Sequence, residues 1–256
     1  MVSIPLTSSW TPPENLRERI KRLVFSPKQQ LRRIVARGLS KGEPELRLIP
    51  DMADAARHAI DVGANRGVWA DCLARHCHGV FAFEPNPKMF AFLSASCAAN
   101  VVPSPLALSD CAGEAVLRIP RTARGYSNQQ ASLAPRADDR FSAFGELTVT
   151  TSCLDDLDLP PCGFIKIDVE GHEAAVLRGA RRLIARDRPV LLIELEQRHT
   201  GEPIEASLQS VMALGYAASF LRDGVETPIV GFDPDGDHRG RADQPGYVFN
   251  FIFRPV

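Results

Sequence analysis

The chain has 256 residues, 45% of them hydrophobic and 24% charged, with a formal net charge of −1. That length and balance fit one large α/β domain, with or without a small appendage, and exclude a disordered or fibrous polypeptide. No apolar run approaches the roughly 20 residues that span a bilayer, and the opening MVSIPLTSSWTPP lacks the basic-then-apolar order of a secretory signal, so a cytoplasmic protein is expected.

The charge is unevenly placed. Residues 1–41 carry nine Lys and Arg against Glu14 and Glu18, a balance of +7, which leaves −8 for the remainder. Within this basic leader Leu16, Ile20, Leu23 and Val24 share one helical face. Leu31, Ile34, Val35 and Leu39 repeat the spacing after a break at Ser26-Pro27, so two short amphipathic helices are predicted. Either the helices cap the core with a solvated basic face, or they meet an acidic partner or a membrane surface. No helix-turn-helix signature or interleaved aromatic pattern marks a nucleic-acid partner. A basic helical extension over 1–50 and a main domain over 51–256 are the expected organisation, with a linker at Gly42-Glu43-Pro44.

Residues 58–87, HAIDVGANRGVWADCLARHCHGVFAFEPNP, read as strand, turn, helix and strand. Gly63 lets the backbone turn tightly after Asp61, and Gly67 permits a close approach at the helix start. Glu84 ends the second strand, where an acid grips ribose hydroxyls in nucleotide-binding α/β domains. From Gly63 the third and sixth positions are Asn65 and Val68, so the phosphate-cradling G-x-G-x-x-G of a dinucleotide site is missing. No G-x-x-x-x-G-K-[ST] is present either. Asp61 beside the turn would repel a pyrophosphate and suits a zwitterionic or cationic ligand, such as a sulfonium with an amino-acid tail.

Further along, Pro87 opens a helix over 87–99. A third strand is expected over 101–108, ending in Ser109-Asp110 at the same sheet edge as Asp61 and Glu84. A strand at 114–119 precedes a long polar segment, 121–146, expected to be irregular. Its Tyr126, Ser127, Asn128, Gln129 and Ser132 are expected to cover a substrate. Strands at 147–151, 163–168 and 189–196 follow, then a helix over 203–215. Segments 216–221 and 247–254 are expected to finish the sheet as an antiparallel edge pair. The run Asp233-Pro234-Asp235-Gly236-Asp237 departs from a calcium loop at His238 and Gln244 and reads as a solvated loop. The six cysteines form no C-x-x-C pair and read as buried thiols.

Several blocks together carry a family resemblance. They are Asp61-Val62-Gly63-Ala64-Asn65-Arg66-Gly67, Phe83-Glu84-Pro85-Asn86-Pro87, Ala107-Leu108-Ser109-Asp110, Leu154-Asp155-Asp156-Leu157, the IKIDVEGHE run from Ile165 to Glu173, and Glu194. In this order the chain resembles the FkbM-type S-adenosylmethionine-dependent methyltransferases over about residues 58–196. Asn250-Phe251-Ile252-Phe253 resembles the family's closing strand. The resemblance implies a Rossmann-like, seven-stranded class I methyltransferase sheet with helices on both faces, and the cofactor across the carboxyl ends of its first strands. It implies that Gly63 and Gly67 border the methionine moiety, with Asp61 and Asn65 near its ammonium and carboxylate. Glu84 takes the ribose, and Ser109 and Asp110 lie by the adenine.

Methyl transfer to a neutral hydroxyl needs close positioning and a base for the departing proton. Lys166 and Asp168 project to one side of their strand, which places Asp168, Glu170, His172 and Glu173 near the methyl end of the cofactor. Asp168 and His172 are predicted as the acid/base or acceptor-positioning pair, with Lys166 tying together the carboxylates, Glu194 included. Lys166 also reads as a buried ion-pair partner, and Glu170 and Glu173 as residues favoured at a helix start by its dipole. Asp168, Glu170, Glu194 and Glu196 offer oxygen ligands if they converge, but their spacing sets no geometry and no metal is predicted. The expected activity is O-methylation of a sugar, glycan or secondary-metabolite hydroxyl, with S-adenosylhomocysteine as the product. A non-catalytic binding protein of the same fold is the alternative, followed by a nicotinamide oxidoreductase, which the missing glycines disfavour.

Overall fold

Alternating runs of β-branched or aromatic residues and helix formers give this chain a βα rhythm, and the computed structural model shows how it closes. The structure describes residues 10–123, 125–134, 141, 143–242 and 244–256. In chain order come α1 (Leu16–Val24), α2 (Pro27–Lys41), α3 (Ile49–Met52), β1 (His58–Val62), α4 (Val68–Leu73), β2 (Gly79–Phe83), α5 (Pro87–Ser96), β3 (Val101–Ser104) and β4 (Ala107–Leu108). These are followed by β5 (Gly113–Thr122), β6 (Gly125–Tyr126), β7 (Phe144–Ser152), β8 (Cys162–Ile167), α6 (Glu173–Arg178), α7 (Arg181–Asp187) and β9 (Val190–Glu194). The chain ends with α8 (Gln197–Thr200), α9 (Ile204–Met212), β10 (Tyr216–Arg222), β11 (Val225–Pro228) and β12 (Asn250–Pro255). Among the described residues no helix is long and apolar enough to cross a membrane.

The main sheet runs β11-β10-β12-β9-β8-β1-β2-β3. Pairings from β3 through β9 are parallel, and β12 lies antiparallel between β9 and β10. Residue parity sorts the core. Ile60, Val62, Ile165, Ile167, Leu191 and Ile193 face α6, α7 and α9, where Val176, Leu183, Ile184, Leu208 and Val211 bury against them. Ala59, Phe164, Leu192 and Ile252 face the other way, toward Trp69 and Leu73 of α4, Leu93 of α5 and Leu31 and Val35 of α2. The central strands therefore bury both faces, as near-continuous apolar runs should.

Several sequence expectations are corrected here. The main sheet holds eight strands among the described residues, not seven: Asp223 (φ 51°) and Gly224 (φ 80°) make a two-residue turn that folds β11 back onto β10. β10 and β12 do pair antiparallel and make the sheet mixed, as expected, but β12 inserts beside β9 and β11 takes the edge. The third strand also stops early. The chain leaves the main sheet after Ser104, and Ala107-Leu108 pairs with Thr151-Ser152 in a second sheet, β4-β7-β5-β6. Ser109 and Asp110 accordingly do not stand at the main sheet's edge. That second sheet also takes up the start and end of the 121–146 segment expected to be irregular, whose residues 124, 135–140 and 142 lie outside the described set.

Candidate active site

Strand β1 is flanked by β2 on one side and β8 on the other. Its connection to β2 runs over one face of the sheet through α4, whereas the connection from β8 to β9 runs over the opposite face through α6 and α7. Where crossovers part in this way, a crevice opens at the carboxyl ends of the strands. A cavity of about 290 Å³ lies there, bordered by Gly63, Asn65, Glu84, Asp168, His172 and Glu194.

On the β1–β2 side the backbone does the holding. Gly63 adopts φ +81°, and a Cβ on it would come within 1.8 Å of the carbonyl oxygen of Asp168, so only glycine lets β1 end this close to β8. The amides of Gly63 and Ala64 both donate to the carbonyl of Phe83, which locks the turn onto β2. Asn65 (φ 49°) donates its backbone N–H to Glu84 Oε2 at 2.7 Å, and Asn86 donates its own to Oε1 at 2.8 Å. Burial pushes the Glu84 carboxyl up to about 7 despite these two donors. Each oxygen keeps a further lone pair for a hydroxyl. Asn128 closes this side, accepting from the Asn86 amide at 2.9 Å, and the apolar Leu106, Ala107 and Leu108 form a wall of the cavity.

On the β8–β9 side charged side chains hold one another. Asp61, Lys166 and Leu192 are in register across β1, β8 and β9, all on the face turned toward α4. Lys166 donates to Asp168 Oδ2 at 2.7 Å and lies 5.8 Å from the centre of the Trp69 ring. Burial opposes its charge, yet Asp168, Asp61 and Glu43 hold the ammonium well above lysine's ordinary range. Trp69 Nε1 donates to Glu43 at 2.7 Å, so the residue read as a linker closes the network from behind. Asp61 is completely buried, and burial raises its carboxyl to about 6 against the pull of Lys166.

Beyond Lys166 the acids crowd. Burial, and then the negative charges of Asp168, Glu170 and Glu196, raise Glu194 well above the usual carboxylate range. Glu196 goes the other way: burial is outweighed by Arg198, His199 and the hydroxyl of Tyr247, which donates to it. His199 Nε2 stands 3.2 Å from Glu170 and 3.6 Å from Glu196. Donor atoms of Glu170, Glu194 and His199 lie within 4.8 Å of one another, the arrangement among the described residues with ligands suited to a metal ion. His172 is apart from this group, its Nε2 2.9 Å from Ser109 Oγ, and burial lowers its pKa against the opposing charge of Asp110.

The cavity thus brings together Gly63, Asn65, Glu84, Lys166, Asp168, His172 and Glu194 of the predicted site residues. Gly67 instead packs on α5, where a Cβ would meet Leu93 Cδ1 at 2.6 Å. Asp61 sits behind the wall, Ser109 reaches the cavity through His172, and Asp110 pairs with Arg178 at 2.7 Å. Glu173 is buried and accepts from the amides of Val169 and Gly171, fixing the turn into α6. Asn128, Gln129 and Ser132 of the covering segment do line the cavity. Glu43, Trp69, His199 and Tyr247 escaped the sequence reading. For Trp69, a large aromatic two residues after Gly67 was the available signal.

A family model described as the methyltransferase FkbM domain matches residues 61–223. The hexuronic acid methyltransferase AglP of Haloferax volcanii is 31% identical over 147 residues, covering 54% of this chain and 56% of that protein. The chain therefore spans little more than half the length of this curated relative. Among solved structures, methyltransferase FkbM from Methylobacillus flagellatus KT aligns with a TM-score of 0.49 and 16% identity, over 78% of this chain and 44% of that one. SMU.1697c, a putative methyltransferase from Streptococcus mutans in complex with SAH, aligns with a TM-score of 0.43 and 10% identity, over 83% and 95%. With well over half of its residues matched by the family model, the chain belongs to the methyltransferase FkbM domain family.

Proposed function

We propose that the protein is an S-adenosylmethionine-dependent O-methyltransferase whose acceptor is a hydroxyl of a sugar, with an acidic sugar such as a hexuronic acid the first to test. The observation that carries this reading is a single cavity with two unlike walls: a backbone-held carboxylate, Glu84, on one side, and Asp168, Glu194 and His172 on the other. The similarity to AglP directs the choice of acceptor.

The residues present fit the methyl donor. Glu84 keeps lone pairs for two ribose hydroxyls, the wall of Leu106, Ala107 and Leu108 suits an adenine, and Gly63 and Asn65 border the space left for the amino-acid tail. Asp61 influences that tail only through the field behind the wall. When bound, the cofactor supplies a methyl group on an electrophilic sulfonium. The remaining work is positioning and proton removal. Asp168, pinned by Lys166, accepts a hydrogen bond from the acceptor hydroxyl and aims its oxygen. Burial lowers the pKa of His172, which favours a ring nitrogen able to take the hydroxyl proton, with Ser109 setting the orientation of the ring.

Calorimetric titration with S-adenosylmethionine and S-adenosylhomocysteine tests the first half, and labelled methyl transfer to uronic-acid glycosides the second. Saturable binding of both sulfur ligands and label recovered as an O-methyl ether are expected. Absence of binding by either ligand would refute the enzyme assignment.

A further inference from the structure

The two N-terminal helices share a sequence pattern but not a fate. In α2 the apolar face is used, with Leu31 and Val35 buried in the core beneath α4 and α5. In α1 no residue is buried, and Leu16, Ile20, Leu23 and Val24 are 71, 52, 84 and 61% exposed. At 3.6 residues per turn these four fall within an arc of about 100°. Glu18 lies on the opposite side of the helix, and there it is fastened to the body by Lys88 at 2.9 Å and Arg66 at 3.3 Å. The apolar stripe therefore points outward, and turning it inward would break both ion pairs.

The helix is not a frayed end. Asn15 and Glu18 form a reciprocal capping box, with Asn15 Oδ1 accepting from the Glu18 amide and Glu18 Oε2 accepting from the Asn15 amide. Arg17 and Arg19 flank the stripe, and Lys21 and Arg22 follow. Arg22 meets Glu14, while among the described residues no acid pairs with Arg17, Arg19 or Lys21. A short basic helix with an outward row of Leu, Ile and Val matches one kind of surface: apolar below, anionic above.

We propose that α1 is a peripheral docking element for the surface of an anionic phospholipid bilayer. The apolar stripe enters the headgroup boundary, and the flanking arginines and lysine pair with lipid phosphates. Arg66, which tethers α1 through Glu18, also borders the cavity, so docking holds the cavity mouth beside the membrane. The proposal stands independently of the reaction assigned to the cavity.

The test is co-sedimentation of the full chain with vesicles of phosphatidylcholine alone and of phosphatidylcholine with a third phosphatidylglycerol. Binding is expected to the second only and to fall as salt rises. A double variant, Ile20→Glu with Leu23→Glu, and a triple variant, Arg17→Gln with Arg19→Gln and Lys21→Gln, should each lose at least about tenfold in partitioning. Both should keep the wild-type thermal transition, because every changed side chain is exposed. Equal binding to both vesicle types, or none to either, overturns the proposal. So does a concentration-dependent dimer that Leu23→Glu abolishes without any vesicle binding, since the stripe would then pair two copies of the chain.

Discussion

The two walls of the cavity are built on opposite principles. Glu84 is held by neutral backbone amides from Asn65 and Asn86, whereas Asp168 is held by the Lys166 ammonium and Glu194 is raised by burial and by the charges of Asp168, Glu170 and Glu196. A wall fixed by the backbone is rigid and insensitive to a single side-chain change elsewhere. A wall of mutually dependent charges is tunable, and every member matters to the rest. The contrast fits a cofactor that is the same in every turnover on one side and, on the other, an acceptor whose proton must move.

The join between the walls should be the most fragile point. Gly63→Val places a Cβ where the Asp168 carbonyl stands, in a left-handed conformation, and should cost about 3 kcal/mol or more of folding stability in chemical denaturation. On the charged wall, Lys166→Met leaves Asp61 and Asp168 without their shared cation. It should cost about 3–5 kcal/mol, and adding Asp61→Asn should restore part of this. His172→Ala should lower kcat by about a hundredfold with cofactor affinity unchanged, as expected of a base on the acceptor side. Glu84→Gln should do the reverse. It should weaken S-adenosylmethionine binding by about tenfold or more in calorimetry while leaving the thermal transition near that of the wild type. If the Glu84 and His172 variants changed the same parameter, the division between the walls would be wrong.

Local features were more readable than long-range ones. The β1 turn and the acid ending β2 follow from Gly63, Asn65 and Glu84 within one βαβ unit, so the sequence order alone places them together. Ser109 and Asp110 were misplaced because the chain passes into the second sheet after Ser104, and no periodicity marks which sheet a two-residue strand will join. Strand parity puts Asp61 and Lys166 on a common face, but their closure by Trp69 and Glu43 depends on how α4 and the segment before α3 pack. The basic leader shows the limit most clearly. Both helices have the same pattern, and contacts distant in sequence, the ion pairs of Glu18 with Lys88 and Arg66 and the bond from Lys88 to the Pro13 carbonyl, hold one with its apolar face to solvent.

A last effect, one of pH, lies outside the cavity. Glu45 is buried beside Asn250, which is in register with Glu194, and its Oε2 has no hydrogen-bond partner among the described residues. Burial raises its carboxyl from 4.5 to about 7. In the folded protein the proton is therefore retained between these values, while the unfolded chain has already released it. The stabilisation from the retained proton is complete below pH 4.5 and is lost as pH rises through 7. Glu45→Gln, which keeps a neutral side chain at every pH, should remove this slope. Relative to the variant, the wild type should lose about 2 kcal/mol between pH 5 and pH 8 in denaturant titrations. Glu84 sits at a similar value but in the cavity, where a bound ribose would stabilise the ionised carboxylate, so saturating cofactor should flatten its contribution and leave that of Glu45 untouched. Equal flattening of both by the cofactor would mean that the two carboxyls titrate as one.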